Sequence, residues 1–336
     1  MSPSRANPKS PSLSVIAEAA GVSTATVSHA LNDSGRVSPD TRIRVQEIAR
    51  ELGYETPRRR RSSRMRTLAV VLSANGHEDQ TPNYYVGELL ANVEAAARTK
   101  DIEVMIGFWH EQRPTILTNS AIGGVLYLGG DFDAEELSQV RLPGVIVGSY
   151  LPGLQLPAVL ADNRRGAYLA TVALLEAGCR RIALANGQAT APTSGDKYLG
   201  YCDALHEAGI PIDPALVTHG DFSMAAGIEA GRALLGGQLG VDGVLACDDP
   251  IAMGIIQTAW LRGIDVPGDL SVIGYGDSAI SRESDPALST VQVHRREMAN
   301  VAVELLMGEE LEHNPGFAER RLILPTVHRR GTIRPA

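Results

Sequence analysis

Apolar residues fall at helical spacing twice in quick succession between residues 12 and 32. Val15, Ile16, Ala19 and Ala20 share one side of a first short helix, and Val22, Val27 and Leu31 supply the apolar side of a second. Ala17 is small enough to let the two helices pass closely. The turn Ala20-Gly21-Val22 joins them, and Gly21 can take the positive φ that a sharp turn needs. Ser23 stands where a helix cap is wanted, and Thr24, Thr26, Ser28 and His29 give the second helix a small polar outer face. A third helix follows, with Ser38 as cap, Pro39 at its first position and Ile43, Val45, Ile48, Ala49 and Leu52 as its apolar side, stopped by Gly53. Three helices within residues 12–56 make a small head with one core.

From Thr67 onward the pattern changes. Short β-branched runs at Leu68–Leu72, Ile102–Ile106, Gly124–Leu128, Gly144–Val147, Ile182–Ala185, Val217–His219, Gly243–Ala246 and Leu270–Ile273 alternate with helical segments. The helices are expected near Tyr85–Thr99, Arg164–Ala177, Tyr198–Ala208, Ala225–Leu235 and Ile251–Leu261. Such alternation predicts an α/β body of parallel sheets covered by helices. The body divides into two halves near Ala161-Asp162. A last helix (Arg296–Met307) and strand (Arg320–Leu324) return to the first half. The expected layout is a lead-in over 1–11, a head over 12–56, a linker over 57–67 and a body over 68–336. One lobe takes about 68–161 and 291–322, the other 162–290 and 323–336. Two facing halves make a hinged cleft, and ligands bind beyond the carboxyl ends of such strands.

Charge separates the regions. The 336 residues carry a net −8, but residues 1–66 hold 12 Lys+Arg against 6 Asp+Glu, and the remaining 270 hold 19 against 33. A basic head on an acidic body fits a domain that meets phosphates and a body that does not. The linker, YETPRRRRSSRMRT over 54–67, packs six arginines into positions 58–66. It is read as a basic hinge that orders on DNA through phosphate contacts. No apolar run is long enough to span a membrane, and the polar, Pro/Ser-rich start carries no signal-peptide core. Cys179, Cys202 and Cys247 lack metal spacing and read as small apolar residues in a reducing cytoplasm. There is no P-loop, no G-x-S-x-G, no G-x-G-x-x-G after a strand and no metal-ligand spacing, so neither an enzyme nor a cofactor is expected. A pure solute-binding protein is disfavoured by the basic head. A helix-turn-helix places its second helix in the major groove, so double-stranded DNA is the expected partner.

Across nearly its whole length the chain resembles the LacI-type (lactose-repressor and purine-repressor) family of bacterial transcription regulators. The resemblance rests on VIAEAAGVSTATVSHALN (15–32), VSPDTR (37–42) and ELGY (51–54) in the head. In the body it rests on DNRRGA (162–167), KYLGY (197–201), GDFS (220–223), DDPIAMG (248–254), VPGDLSVIGYGD (266–277), DPALSTV (285–291) and LP (324–325). It implies a helix-turn-helix head on a two-lobed, periplasmic-binding-protein-like body. It also implies a cytoplasmic homodimer on a palindromic operator, with a small-molecule effector between the lobes. On that likeness Thr24, Ala25 and His29 read base edges. Ser12, Leu13, Ser23, Thr26, Ser28, Asn32, Arg36, Thr41 and Tyr54 position the head, mostly on phosphate, with core packing as the other reading of Leu13 and Tyr54.

The family's hinge leucine has no counterpart here. Counting places Ser63, or with one insertion Arg64, at its position. Either Met65 is the wedge or Arg58, Arg61 and Arg64 track the minor groove. The implied effector site takes Lys197, Phe222 and Asp248, the opposite lip Ser73, Asn75, Tyr84 and Tyr85, and also Thr193, Tyr275 and Asp277. Gly276 stands where the family has an aspartate and Val293 where it has a polar contact. The ligand is therefore left open as a sugar, a sugar derivative or another small polar metabolite, and Lys197 suits a carboxylate or phosphate. No leucine heptads follow Leu324, so a dimer is expected rather than a tetramer.

Overall fold

Gly21 adopts φ 61° in the computed structural model, which describes residues 12–31, 37–52, 54, 65–73, 84–110, 112–237, 239–308, 311 and 319–335. This left-handed residue caps helix α1 (Leu13–Ala20), and its N–H bonds back to Glu18 O. Helix α2 (Thr24–Leu31) follows, capped by Ser23, whose Oγ accepts from Thr26 N at 3.1 Å. Helix α3 (Pro39–Glu51) has Ser38 as cap and Pro39 at its first position. The three meet in a core of Ile16, Ala17, Ala20, Val27, Ala30, Val45 and Ala49, with Leu13, Val22, Leu31, Val37, Ile48 and Tyr54 packed around it. Alanines at the crossings let the backbones approach, and Arg44 Nη2 donates to Ala20 O at the end of α1.

Four positions expected on the apolar side lie outside the core. Val15, Ala19, Ile43 and Leu52 are exposed. Each helical residue turns the side chain by about 100°. Ile16, Ala17 and Ala20 define the buried face of α1, which puts Val15 and Ala19 at its margins. Ile43, two residues before Val45, points to the opposite side of α3.

The chain forms two compact units, Met1–Met65 with Met307–Glu309, and Arg66–Leu306 with Glu310–Ala336. The second holds two six-stranded sheets. The first sheet is built from β1 (Thr67–Ser73), β2 (Glu103–Trp109), β3 (Ile122–Leu128), β4 (Gly144–Val147), β5 (Ala158–Ala161) and β11 (Arg320–Ile323). Its strand order is β11-β5-β4-β3-β1-β2, all parallel. The second sheet comprises β6 (Ile182–Asn186), β7 (Val217–His219), β8 (Gly243–Ala246), β9 (Ser271–Gly276), β10 (Ser289–Gln292) and β12 (Thr326–His328). Its order is β12-β10-β9-β8-β6-β7, parallel except at β10–β12. The expected parallel α/β body is thus present. Three strands, β5, β10 and β12, lie outside the predicted set.

The main helices of this body are α4 (Tyr84–Arg98), α5 (Ala134–Ser138), α6 (Asn163–Glu176), α7 (Pro192–Glu207), α8 (Met224–Leu234), α9 (Asp249–Leu261), α10 (Ala279–Glu283) and α11 (Arg295–Met307). The chain crosses between the lobes after β5, after β10 and after β11. Two helix pairs close through glycine. A Cβ on Gly200 of α7 would stand 2.0 Å from Arg164 O, and one on Gly227 of α8 would stand 2.2 Å from Ile251 O. No described helix is long and apolar enough to cross a membrane.

Candidate functional site

In the head, burial of Val27 and Ala30 turns the other side of α2 outward. Thr24 and Ala25 are exposed, and Ser28 and His29 are half-buried beside them. The hydroxyls of Ser23 and Thr26 lie 2.8 Å apart in the cap, and Ser38 Oγ donates to Thr41 Oγ1 at 2.8 Å. Ser12 precedes α1 in an extended conformation and makes no side-chain cap to it. Leu13 and Tyr54 pack against the head core, and Met65 is buried. Asn32, Arg36, Arg58, Arg61 and Arg64 lie outside the described residues.

In the body, the strands of the second sheet end at a polar cleft. Lys197, on the second turn of α7, is 6% exposed and donates from Nζ to Cys247 O at 2.9 Å. Its ammonium lies 4.3 Å from the Tyr275 ring centroid and 5.6 Å from that of Phe222. A cation over aromatic faces is held by the ring quadrupoles. Phe222 lies against Gly187, where a Cβ would meet its ring at 2.2 Å. Ser194 Oγ and Tyr275 OH are buried without a hydrogen-bond partner among the described residues. The sequence-predicted Lys197, Phe222, Asp248 and Tyr275 therefore come together, and Thr193 stands one turn before Lys197.

Asp248 caps α9, its Oδ1 accepting from Asp249 N at 2.9 Å. Burial, with Asp249 next to it, pushes the Asp248 carboxyl up to about 7, against the opposing pull of Lys197. Asp249 is fully buried. Its Oδ1 accepts from Thr290 Oγ1 at 2.5 Å, and its Oδ2 accepts from Ser278 N at 2.8 Å and Ser278 Oγ at 2.7 Å.

The raised Asp248 carboxyl has a signed consequence. As pH rises from the ordinary carboxylate range through about 7, the folded chain holds a proton that the unfolded chain has released. This group's contribution to stability therefore falls with pH over that window. Asn also caps helices well, so Asp248→Asn is expected to keep the structure and lose the penalty. In thermal melts the stability gap between variant and parent should widen by about 2 kcal/mol from pH 5 to pH 7.5. A gap independent of pH would refute this account of Asp248.

Across the cleft, the Tyr85 ring lies 5.2 Å from the Arg295 guanidinium, and its hydroxyl sits beside Gly148. Burial pushes the Tyr85 hydroxyl up to about 12. Arg295 is 7% exposed. Polar contacts join the lobes. Tyr150 OH donates to Asp196 Oδ1 at 3.2 Å, with Arg320 stacked 3.5 Å from the Tyr150 ring centroid. Glu88 Oε1 accepts from Ala279 N at 3.0 Å, and its carboxylate pairs with Arg295 at 3.3 Å.

Asp277 stands apart from Lys197 and Phe222 in its bonding. Its carboxylate is engaged by Arg330 at 2.5 Å and by Gln292 at 3.3 Å. Burial alone would raise it, but the bond and charge of Arg330, with Arg282, outweigh burial and hold it below the usual range. It lines a polar cavity of about 410 Å³ beside the β10–α11 crossing, with Glu88, Arg282, Gln292 and His294. Ser73 Oγ donates to Asp131 O at 2.7 Å at the end of β1. Asn75 and the side chain of Tyr84 lie outside the described residues.

Sequence reasoning missed Arg295, Asp249, Glu88 and the Tyr150–Asp196 pair. Of these only Asp249 carried a signal, as the second carboxylate of an Asp-Asp-Pro helix start. Arg295, Glu88 and Asp196 look like solvated charges on helices, and Tyr150 like a loop aromatic, until the fold brings the lobes together.

A helix-turn-helix head joined to a two-lobed, periplasmic-binding-protein-like body defines a DNA-binding transcription regulator. The comparisons name the family. Residues 12–57 match the bacterial regulatory proteins of the lacI family, residues 171–333 match the periplasmic binding protein-like domain, and the chain belongs to the LacI family. It is 31% identical to the ribose operon repressor of Haemophilus influenzae over 330 residues, covering 95% of this chain and 97% of that protein. It is 33% identical to the HTH-type transcriptional regulator CelR of Thermobifida fusca over 319 residues, covering 90% of this chain and 94% of that one. Among solved structures, a transcriptional regulator CelR–cellobiose complex superposes with a TM-score of 0.71 at 29% identity, over 96% of this chain and 99% of that one.

Proposed function

We propose that this protein is a cytoplasmic repressor that binds a palindromic operator as a homodimer. Its hold on DNA changes when a small polar metabolite, a sugar or sugar derivative, enters the cleft between the lobes. The observation that carries the reading is the outer face of α2, where Thr24 and Ala25 are exposed on a helix whose other side builds the head core. Thr24 can bond a base edge or present its methyl, Ala25 can meet a thymine methyl, and His29 can donate to guanine. The cleft supports the second half of the reading, since a buried cation, an aromatic plate and a carboxylate converge there. Relatives named for a ribose operon and for a cellobiose complex support the sugar class. The test is a mobility shift on two-fold symmetric fragments at several salt concentrations. Specific binding that weakens steeply with salt is expected, and binding no tighter than to random DNA would refute it.

The dimer reading rests on β2, an edge strand of the first sheet. Met105, Ile106 and Phe108 are exposed along it, Phe108 at 56%. An apolar edge strand is a pairing and aggregation hazard unless a partner covers it, and a second copy does so by two-fold symmetry. Phe108→Glu is expected to shift the chain toward monomer in sedimentation and to weaken operator binding at least tenfold. An unchanged dimer would place the interface elsewhere.

A further inference from the structure

We infer that the effector is an anion, and that Arg295 receives its carboxylate or phosphate group. The inference rests on the reading of the inter-lobe cleft as the effector site, and it names the ligand class of that site. Arg295 stands at the start of α11, just past the chain crossing from the second lobe. One edge of its guanidinium is occupied, since Nη1 pairs with Glu88. The other edge is not, since Nε and Nη2 are both buried and neither has a hydrogen-bond partner among the described residues. Nε and Nη2 together form the side-on fork that matches a carboxylate or phosphate with two parallel hydrogen bonds. A buried guanidinium with that edge unmatched is costly unless something fills it.

The surroundings favour a ligand that supplies acceptors. Gly276, at φ 129°, leaves space beside this edge, for a Cβ there would stand 3.2 Å from Arg295 Nη2 and 3.8 Å from Asp248 Oδ1. Lys197 adds a second buried cation with one carbonyl partner, Cys247 O, and no carboxylate within 4 Å among the described residues. Tyr275 OH and Ser194 Oγ are further unpartnered hydroxyls. Of the nearby carboxylates, Asp249 is committed to Ser278 and Thr290, Glu88 to Ala279 N and Arg295, and Asp248 gives one oxygen to the cap of α9. The unmatched guanidinium edge and the buried ammonium of Lys197 call for acceptors that carry negative charge, which a carboxylate or phosphate supplies and a neutral polyol does not.

The test uses the full chain and matched pairs of probes. Thermal shift followed by calorimetry compares ribose with ribose 5-phosphate, and glucose with gluconate and glucose 6-phosphate; inorganic phosphate serves as the bare anion. At least one organic anion is expected to bind at least tenfold more tightly than its neutral partner. Arg295→Met should abolish that preference, and Arg295→Lys should keep part of it. If neutral sugars bind and their anions do not, the anion assignment falls while the ligand reading of the cleft stands. If anions bind equally well to Arg295→Met, a folded variant with unchanged circular dichroism, the role of Arg295 falls. Silence from both halves of the panel overturns the cleft reading and this inference together.

Discussion

Val27→Asp is expected to abolish operator binding while leaving the thermal transition of the body where it was. Val27 is fully buried at the centre of the head, between Ile16, Ala20 and Val45. The core there is small, mostly alanines with three larger aliphatic residues, so it has little stability in reserve. An unpaired carboxylate in that position, with the lost burial of the valine, costs about 3–5 kcal/mol or more. That is a large fraction of the total stability of a small domain. The head is its own compact unit, apart from the two-sheet body, so it should unfold alone. Calorimetry should show the body transition intact, and amide protection should vanish between residues 13 and 51. Full operator binding by the variant would mean that this core does not hold α2 in place.

Asp249→Ala has the second largest expected effect, and it falls on the body. Asp249 joins the N-terminus of α9 to the segment after β9 through Ser278 and to β10 through Thr290. Removing the carboxylate strands three buried donors and leaves a void, a loss of about 3–5 kcal/mol. Because these bonds fix the strand ends that carry Asp248 and Gly276, effector binding should be lost even in molecules that remain folded. Asp249→Asn keeps one acceptor and should lie between the two. A variant that melts within a degree or two of the parent would show that the network contributes little.

The head was legible in the sequence to within a few positions, because helix caps, a turn glycine and a 3.6-residue period are local signals. Ser23, Ser38, Pro39 and Gly21 do what their chemistry suggests. The errors there, Val15, Ala19, Ile43 and Leu52, came from giving a short helix a wider apolar face than three packed helices can bury. The parallel body was legible from alternation, but β5, β10 and β12 were not, and their pairing partners define them. In the cleft, Lys197, Phe222, Asp248 and Tyr275 were found through family resemblance and do converge. Arg295 was not found. Its importance arises from burial and from an unmatched guanidinium edge, and both depend on how α11 meets the ends of β8 and β9 and the start of α4.

The central claim is that this chain reads a symmetric DNA site through α2. Its most direct measurement is selection of binding sites from a random-sequence DNA pool by the full chain, followed by salt-dependent mobility shifts on the selected sequences. The expected result is enrichment of a two-fold symmetric site occupied by two chains, with affinity falling steeply as salt rises and with the half-site preference altered by His29→Ala. Recovery of no common sequence, or of an asymmetric site bound by a single chain with no sensitivity to Thr24, Ala25 or His29, would contradict it.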